Sequence, residues 1–558
     1  MLIDLLKKKM LVLDLPLAEW LPMKGLAEAT PAQWASEELS AFCAQAIQEQ
    51  LAAGVDLLTI HLPPIPADSQ NCPDYIPQML RGGVHFLRSL TPLKPINVVL
   101  PAAGFAIQPF GEQDFNSAVQ FYKKLLRCIA EYSPELLTLT AFSNLQDLRA
   151  LLIAAREVLP QQALCLHWND LNLVEAADFA NYLLVAESLA VRTVSFDGNL
   201  SACKIFIAKV RSTSNLPVLI RLRCADSALM IKQAAELVRL GVNALGIGAP
   251  ADVTQLKAVA DLIQPAQPHW GQTNFPLRIA SARHILSIGS RLPFIKIGER
   301  INPTGRKKLA EQLRKGELGL VLDDARAQVA AGADALDVNV GAPLVDEQAL
   351  MRQALLSLQL AVEVPLVIDS ASPEVIEAGL QVYAGKALVN SVNAKERRLQ
   401  EVLPLVKKYG AAVIALCIGE TMPNTAEERL AFARQIVAAC DAYQIDRSNI
   451  LVDPAALAIA TDENSGPAVL QAIYLIKEQL GLPLSVGASN TSFGLPDRAR
   501  VHNTFIIQAM AMGLDAAILN PLDPEVHDLI AAASLFTGRD PYCRTYLKKF
   551  RQRQRSTT

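Results

Sequence analysis

The sequence has no CxxC pair, no Walker-type phosphate loop, no serine–histidine–acid arrangement, no His/Cys metal cluster and no surplus of positive charge. Each absence removes a class of protein. The nine cysteines (43, 72, 128, 165, 203, 224, 417, 440 and 543) are odd in number and scattered, which argues for reduced thiols and against a disulfide framework. A formal net charge of -3 with 19% charged residues offers nothing to draw nucleic acid. The opening stretch MLIDLLKKKMLVLDLPLAEW holds an apolar run too short, and too interrupted by Asp14 and prolines, for a signal peptide. No apolar run of membrane length follows, so the expected location is cytoplasmic, with no membrane partner.

What is present is enough apolar sequence, 51% of 558 residues, to fill two cores of barrel size. In the first half, short β-rich runs begin at 11 (LVLDL), 55 (VDLLTIHL), 96 (INVVLPA), 136 (LLTLTAF), 163 (ALCLHW), 191 (VRTVSFDG), 217 (PVLIRLR) and 244 (ALGIGAP). Amphipathic segments lie between them, the clearest being 36–51, 116–132 and 144–159. The second half repeats the pattern: FIKIG at 294, then ALDVNVG at 335, LVIDS at 366, LVNSVN at 388, AVIALCIG at 412, ILVDP at 450, LSVGASN at 484 and AAILNP at 516. Helical segments at 308–331, 347–362, 373–383, 396–409, 426–443, 467–480 and 497–512 separate them. Eight strands each followed by a helix, twice over, predict an α/β protein of two (β/α)8 TIM barrels in tandem. The expected domains are 1–265 and 293–558, joined by a linker over 266–292 that is packed through Leu277, Ile279, Ile285, Leu286 and Leu292.

Ligands bind where parallel strands end, and in the second half those positions carry a repeated chemistry. The stretch FIKIGERINPTG (294–305) delivers Glu299 and Asn302. Asp337, Asn339, Asp369, Asn390, Asp453, Asn490 and Asn520 fall at or near later strand ends. Buried acids and amides are costly unless they bond a ligand or each other. A flat heterocycle with alternating donors and acceptors meets that need, and carboxylates suit an aminopyrimidinone edge, whose ring NH and amine groups donate. Helix capping would explain Asp453 or Asn520 singly but not the whole set.

Two resemblances add to this reading. The segments LLTLTAFSNLQDLRALLIAAREV (136–158) and AAGVDLLTIHL (52–62) resemble homocysteine S-methyltransferase barrels, which hold zinc through a cysteine after strand six and a cysteine pair after strand eight. Here strand six ends in Phe196, Asp197 and Gly198, and strand eight in Gly246, Ile247, Gly248 and Ala249, so no zinc is expected. Cys203 and Cys224 make two soft ligands without a third and read as core or loop cysteines. His61, His167, Asp197 and Arg221 also fall near strand ends, but follow no chemical motif, and a core or surface role is the simpler reading. The first barrel is left with a structural or docking role.

The series IGERINPTG, ALDVNVG, VIDS, VNSVN, the DP at 453 and GASNTSFGLPDR (487–498) resembles the pterin-binding methyltransferases: the methyltetrahydrofolate:corrinoid protein enzymes and the folate domain of cobalamin-dependent methionine synthase. The resemblance implies that Asp369, Asn390 and Asp453 bond the pterin, that Asn490 reaches N5, and that Glu299, Asn302, Asp337, Asn339 and Arg498 line the same pocket, to which Asn520 is added by its place at a strand end. Asn490 and Asp453 are the implied catalytic pair. Dihydropteroate synthases share the barrel, but their basic signature after strand seven is SNTSFG here. The implied reaction is methyl transfer between 5-methyltetrahydrofolate and the cobalt of a corrinoid. With no DxHxxG cobalamin signature and no room for a corrinoid domain after the second barrel, the corrinoid is expected on a separate protein. The tail residues Lys548, Lys549, Arg551, Arg553 and Arg555 suit an acidic partner or plain solvation. Two alternatives stay open: a two-barrel component of a split methionine synthase, which the missing zinc cysteines oppose, and a non-catalytic folate-binding protein. A homodimer is compatible with all three.

Overall fold

The computed structural model describes residues 2–15, 37–66, 73–142, 144–248, 251–271 and 273–557. It divides into two units, Met1–Thr273 and Asn274–Thr558. The first carries strands β1 (Leu11–Val12), β2 (Leu58–His61), β3 (Ile96–Pro101), β4 (Leu136–Thr140), β5 (Ala163–Trp168), β6 (Thr193–Gly198), β7 (Val218–Leu222) and β8 (Ala244–Ile247). They pair in parallel in chain order, β1 pairs with β8, and the parallel bridge Leu13–Leu57 closes the ring. Strands covered on both faces read as unbroken apolar runs, which is why every residue of β3 and β7 is buried. Asp and Asn at the strand-to-helix loops start the helices: Asp114 accepts from Ser117 N, Asn144 from Asp147 N and Asn199 from Ala202 N. Inside the ring Leu11, Leu57, Leu136, Cys165, Leu219 and Ala244 form one buried cluster.

The second unit opens with an antiparallel hairpin, β9 (Leu277–Ala280) and β10 (Ile285–Ile288). The parallel strands follow: β11 (Ile295–Ile301), β12 (Ala335–Val338), β13 (Leu366–Asp369), β14 (Leu388–Asn393), β15 (Ala412–Leu416), β16 (Ile450–Asp453) and β17 (Ala516–Leu519). Leu277, Ile279, Leu286 and Ile288 share a buried cluster with Ile295, Ala335, Val367, Leu388, Ala412 and Ala516, the starts of the strands. The hairpin therefore stops the N-terminal end of this barrel, and ligand access is left to the other end. The stretch 266–292 divides between the two units at residue 273.

Two expected elements differ. The segment expected as a helix over 308–331 is two, Lys307–Arg314 and Gly319–Ala330, because Gly316 turns the chain with φ +72. The seventh strand, expected at LSVGASN, is reduced to single bridges: Leu484 pairs with Val452 and Gly487 with Ile518. Backbone bonds still run to both neighbours, Ser485 N to Val452 O at 2.9 Å and Ile518 N to Val486 O at 2.9 Å, so the barrel closes. No ladder forms because the chain leaves the sheet at Gly487 and enters the single turn Ala488–Asn490. Among the described residues no helix is long and apolar enough to cross a membrane.

Candidate functional site

At the C-terminal mouth of the second barrel the acids and amides meet in pairs. Asn390 on β14 donates from Nδ2 to Asp337 Oδ1 at 3.1 Å, and Asn339, just past β12, donates to Asp369 Oδ2 at 3.0 Å. The two carboxyls are also hydrogen-bonded to each other. Burial, then the charge of Asp369, holds Asp337 well above the ordinary carboxylate range, which favours one proton held between the two carboxyls. Burial raises Asp369 as well, against the stabilising bonds from Asn339 and Asp337. Glu299 on β11 is raised by burial, less so because Ser489 Oγ donates to its Oε1 at 2.8 Å.

Asp453 closes the other side. Burial pushes it up to about 6, although the amides of Ala455 and Gly487 donate to it, the first at 2.8 Å. Asn490 stands on the turn after Gly487, is exposed, and its side chain bonds no described residue. A Cβ on Gly487 would lie 2.9 Å from Asn490 Nδ2, so glycine there leaves the amide its place. Arg498 does not bond the acids: it donates to Ser489 O at 2.8 Å and Ser492 Oγ at 3.2 Å, clasping that turn, with its guanidinium 5.5 Å from the Phe493 ring centre. Asn302 and Asn520 lie at the same end but serve their own loops, accepting from Thr304 N at 2.9 Å and Leu522 N at 3.2 Å.

Three functional supports escaped the sequence reading. Ser489 holds Glu299. Arg398 donates to the carbonyls of Ser370, Ala371 and Ser391, tying together the loops behind Asp369 and Asn390. Arg429 donates to Thr425 O, Pro454 O and Ala455 O beneath Asp453. Arg429 had a legible signal: it falls with Ala426, Leu430, Ala433 and Ile436 on the buried stripe of its helix.

In the first barrel, Cys203 is buried with Sγ 3.4 Å from Gly198 O, and Cys224 is half-buried with Sγ 3.3 Å from Asp226 O. Cys72 and Ala249 lie outside the described residues, as do the side chains of Arg553 and Arg555. Among the described residues no three His, Cys, Asp or Glu side chains could hold a metal ion together. His61, His167, Asp197 and Arg221 do come together at the strand ends, around an ion pair in which Arg221 Nη2 donates to Asp14 Oδ1 at 2.8 Å.

This barrel is stoppered at one end and gathers paired acids and amides at the other, where parallel barrels bind their ligands. The pterin binding enzyme family matches residues 298–520. The methylcorrinoid:tetrahydrofolate methyltransferase of Eubacterium limosum is 31% identical over 266 residues, 46% of this chain and 96% of that protein. The chain therefore belongs to the pterin-binding methyltransferase family. Among solved structures, the homocysteine methyltransferase MmuM of Escherichia coli in its metallated form aligns at 12% identity and TM-score 0.36, covering 47% of this chain and 98% of that one. Its apo form aligns at the same identity and score over 46% and 97%.

Proposed function

We propose that the second barrel transfers a methyl group between 5-methyltetrahydrofolate and the cobalt of a corrinoid carried by a separate protein. The observation that carries the reading is the contrast within the mouth. Asp337, Asn339, Asp369, Asn390 and Asp453 are held by partners, whereas the Asn490 amide bonds no described residue. The held groups meet the donors and acceptors of the pterin ring and fix its orientation. Asn490 is left to act on the ligand. The named activity of the Eubacterium relative supports the same reaction.

When the N5–methyl bond breaks, the electron pair stays on N5, a poor leaving group unless it gains a proton or a strong hydrogen bond. An amide can bond N5 in either protonation state, so Asn490 suits both directions of transfer. The corrinoid supplies the cobalt to or from which the methyl passes. The rim suits an apolar macrocycle: Leu344, Met422, Phe493 and Leu522 are all exposed on loops beyond strand ends. The test is anaerobic mixing of the protein with methyltetrahydrofolate and Co(I) cobalamin, following loss of the Co(I) absorbance. Methylation that depends on protein and falls in Asn490→Ala is expected. Folate binding with no transfer to free Co(I) cobalamin or to any corrinoid protein would overturn the proposal in favour of a non-catalytic folate binder.

A further inference from the structure

The first barrel also has a polar mouth, built from four strands. Thr59 and His61 follow Leu57 on one face of β2, His167 follows Cys165 on β5, and Arg221 follows Leu219 on β7. Leu57, Cys165 and Leu219 all belong to the cluster that fills the barrel, so alternation along each strand aims Thr59, His61, His167 and Arg221 into its open end. Asp197 on β6 shares the face of Ser195, whose Oγ lies 3.0 Å from His167 Nδ1, and so points inward with them.

Part of this cluster is satisfied internally. Arg221 donates to Asp14 Oδ1 at 2.8 Å and Thr59 Oγ1 at 3.0 Å. Two groups are not. His61 Nε2 is buried with no hydrogen-bond partner among the described residues. The Asp197 side chain is 8% exposed and accepts no hydrogen bond from a described residue, its nearest cation being Arg223 Nη2 at 4.0 Å. A buried imidazole nitrogen without a partner is costly, and the Asp197 carboxylate, which keeps open hydrogen-bonding capacity toward the mouth, lies close enough to act on the His61 ring electrostatically.

Charge narrows the ligand. Among the described residues Asp14 and Asp197 pair with Arg221 and Arg223, and burial keeps the His61 imidazole neutral, with a value of about 4. An anion or a cation would add an uncompensated charge to these pairs, whereas an uncharged ligand would not. The open hydrogen-bonding capacity is two carboxylate oxygens on one side and one ring nitrogen on the other. We propose that the mouth of the first barrel binds a small uncharged polyol, with two adjacent hydroxyls donating to Asp197 and a third oxygen bonding His61 Nε2.

The test uses the full chain in glycerol-free buffer, with titration calorimetry and saturation-transfer NMR. Glycerol and erythritol are the probes; propane-1,3-diol, which lacks adjacent hydroxyls, and glycine, a zwitterion, are the comparators. Glycerol and erythritol are expected to bind at about millimolar Kd or tighter, with propane-1,3-diol and glycine at least about tenfold weaker. Asp197→Asn and His61→Phe are each expected to weaken erythritol about tenfold or more, with an unchanged melting profile as the fold control. No binding by either polyol, equal binding by propane-1,3-diol or glycine, or binding that survives Asp197→Asn would overturn the assignment. The comparators work on the unmodified protein, so a variant that fails to fold does not remove the test. Methyl transfer is not the readout, so failure here leaves the function of the second barrel untouched.

Discussion

Asp337 on β12 and Asp369 on β13 are hydrogen-bonded to each other in the mouth of the second barrel, and burial holds both above the usual carboxylate range. Two buried carboxyls in contact cannot both ionise, so one proton serves the pair. The flanking amides fit that state: Asn390 donates to Asp337 and Asn339 to Asp369. A neutral acid beside an ionised one presents donor and acceptor character on one edge, which is what a ring with alternating NH and carbonyl groups requires.

The shared proton makes the site insensitive to one substitution and sensitive to another. In Asp337→Asn the amide still donates to Asp369 and still accepts from Asn390, so unfolding is expected within about 1 kcal/mol of the parent. Asp337→Leu strands both partners and is expected to cost about 1–3 kcal/mol. Scanning calorimetry suits the comparison because all four tryptophans lie in the first half of the chain. Equal losses in the two variants would mean that Asp337 is ionised.

Asn490 is expected to act on the transition state more than on binding. Asn490→Ala should lower single-turnover methyl transfer about a hundredfold or more, in the range found when one positioned donor is removed, while the Kd for methyltetrahydrofolate moves by less than about fivefold. Stopped-flow absorbance and equilibrium titration separate the two. A variant that loses affinity and rate equally would make Asn490 a binding residue.

Asp453 ties the site to pH. Its folded value is raised by burial from 3.8 to about 6, so between those values the folded state holds more protons than the unfolded one. Stability contributed by the protonated form is therefore lost as pH rises through that window, a cost on the order of 3 kcal/mol at neutral pH. Asp453→Asn is expected to be more stable than the parent at pH 7, and no more stable below pH of about 4. Folate affinity moves the opposite way, because ring NH groups bond the ionised form: in the parent it climbs through pH of about 6, and in Asp453→Asn it is weaker and flat. Calorimetry and titration at matched pH values check both. An Asn variant less stable at pH 7 would contradict the burial cost.

How far the sequence showed this can be read from particular residues. Asp337, Asn339, Asp369, Asn390 and Asp453 were legible because buried parallel strands are nearly pure apolar runs, and a lone acid or amide at the end of one stands out. The hairpin 277–288 was legible as packed chain but not as structure: two strands of four residues are too short for a period to show. The break at Gly316 was hidden because the apolar spacing continues on both sides of it. Arg398 and Ser489 were invisible for another reason. Their bonds go to backbone carbonyls and a carboxylate far away in sequence, which no local pattern encodes.

Arg429 is the support beneath Asp453, and its role can be separated from simple packing. The side chain is fully buried, and its guanidinium donates to Pro454 O at 2.8 Å, Thr425 O at 2.9 Å and Ala455 O at 3.4 Å. Ala455 sits at φ +59, a conformation a non-glycine residue keeps only when its surroundings enforce it. In that conformation its amide donates to Asp453 Oδ1 at 2.8 Å, one of the two backbone bonds that restrain the rise of Asp453. Arg429→Met leaves the Pro454 and Ala455 carbonyls unpaired, and Thr425 O with only the backbone amide of residue 429, and is expected to cost about 3 kcal/mol or more. It should also free Ala455, weaken that amide bond and shift the pH midpoint of folate binding upward by about half a unit or more. Arg429→Lys restores one donor and should recover part of both effects. Lost stability with an unmoved midpoint would leave Arg429 a packing residue alone; a moved midpoint makes it the residue that sets the charge state of Asp453.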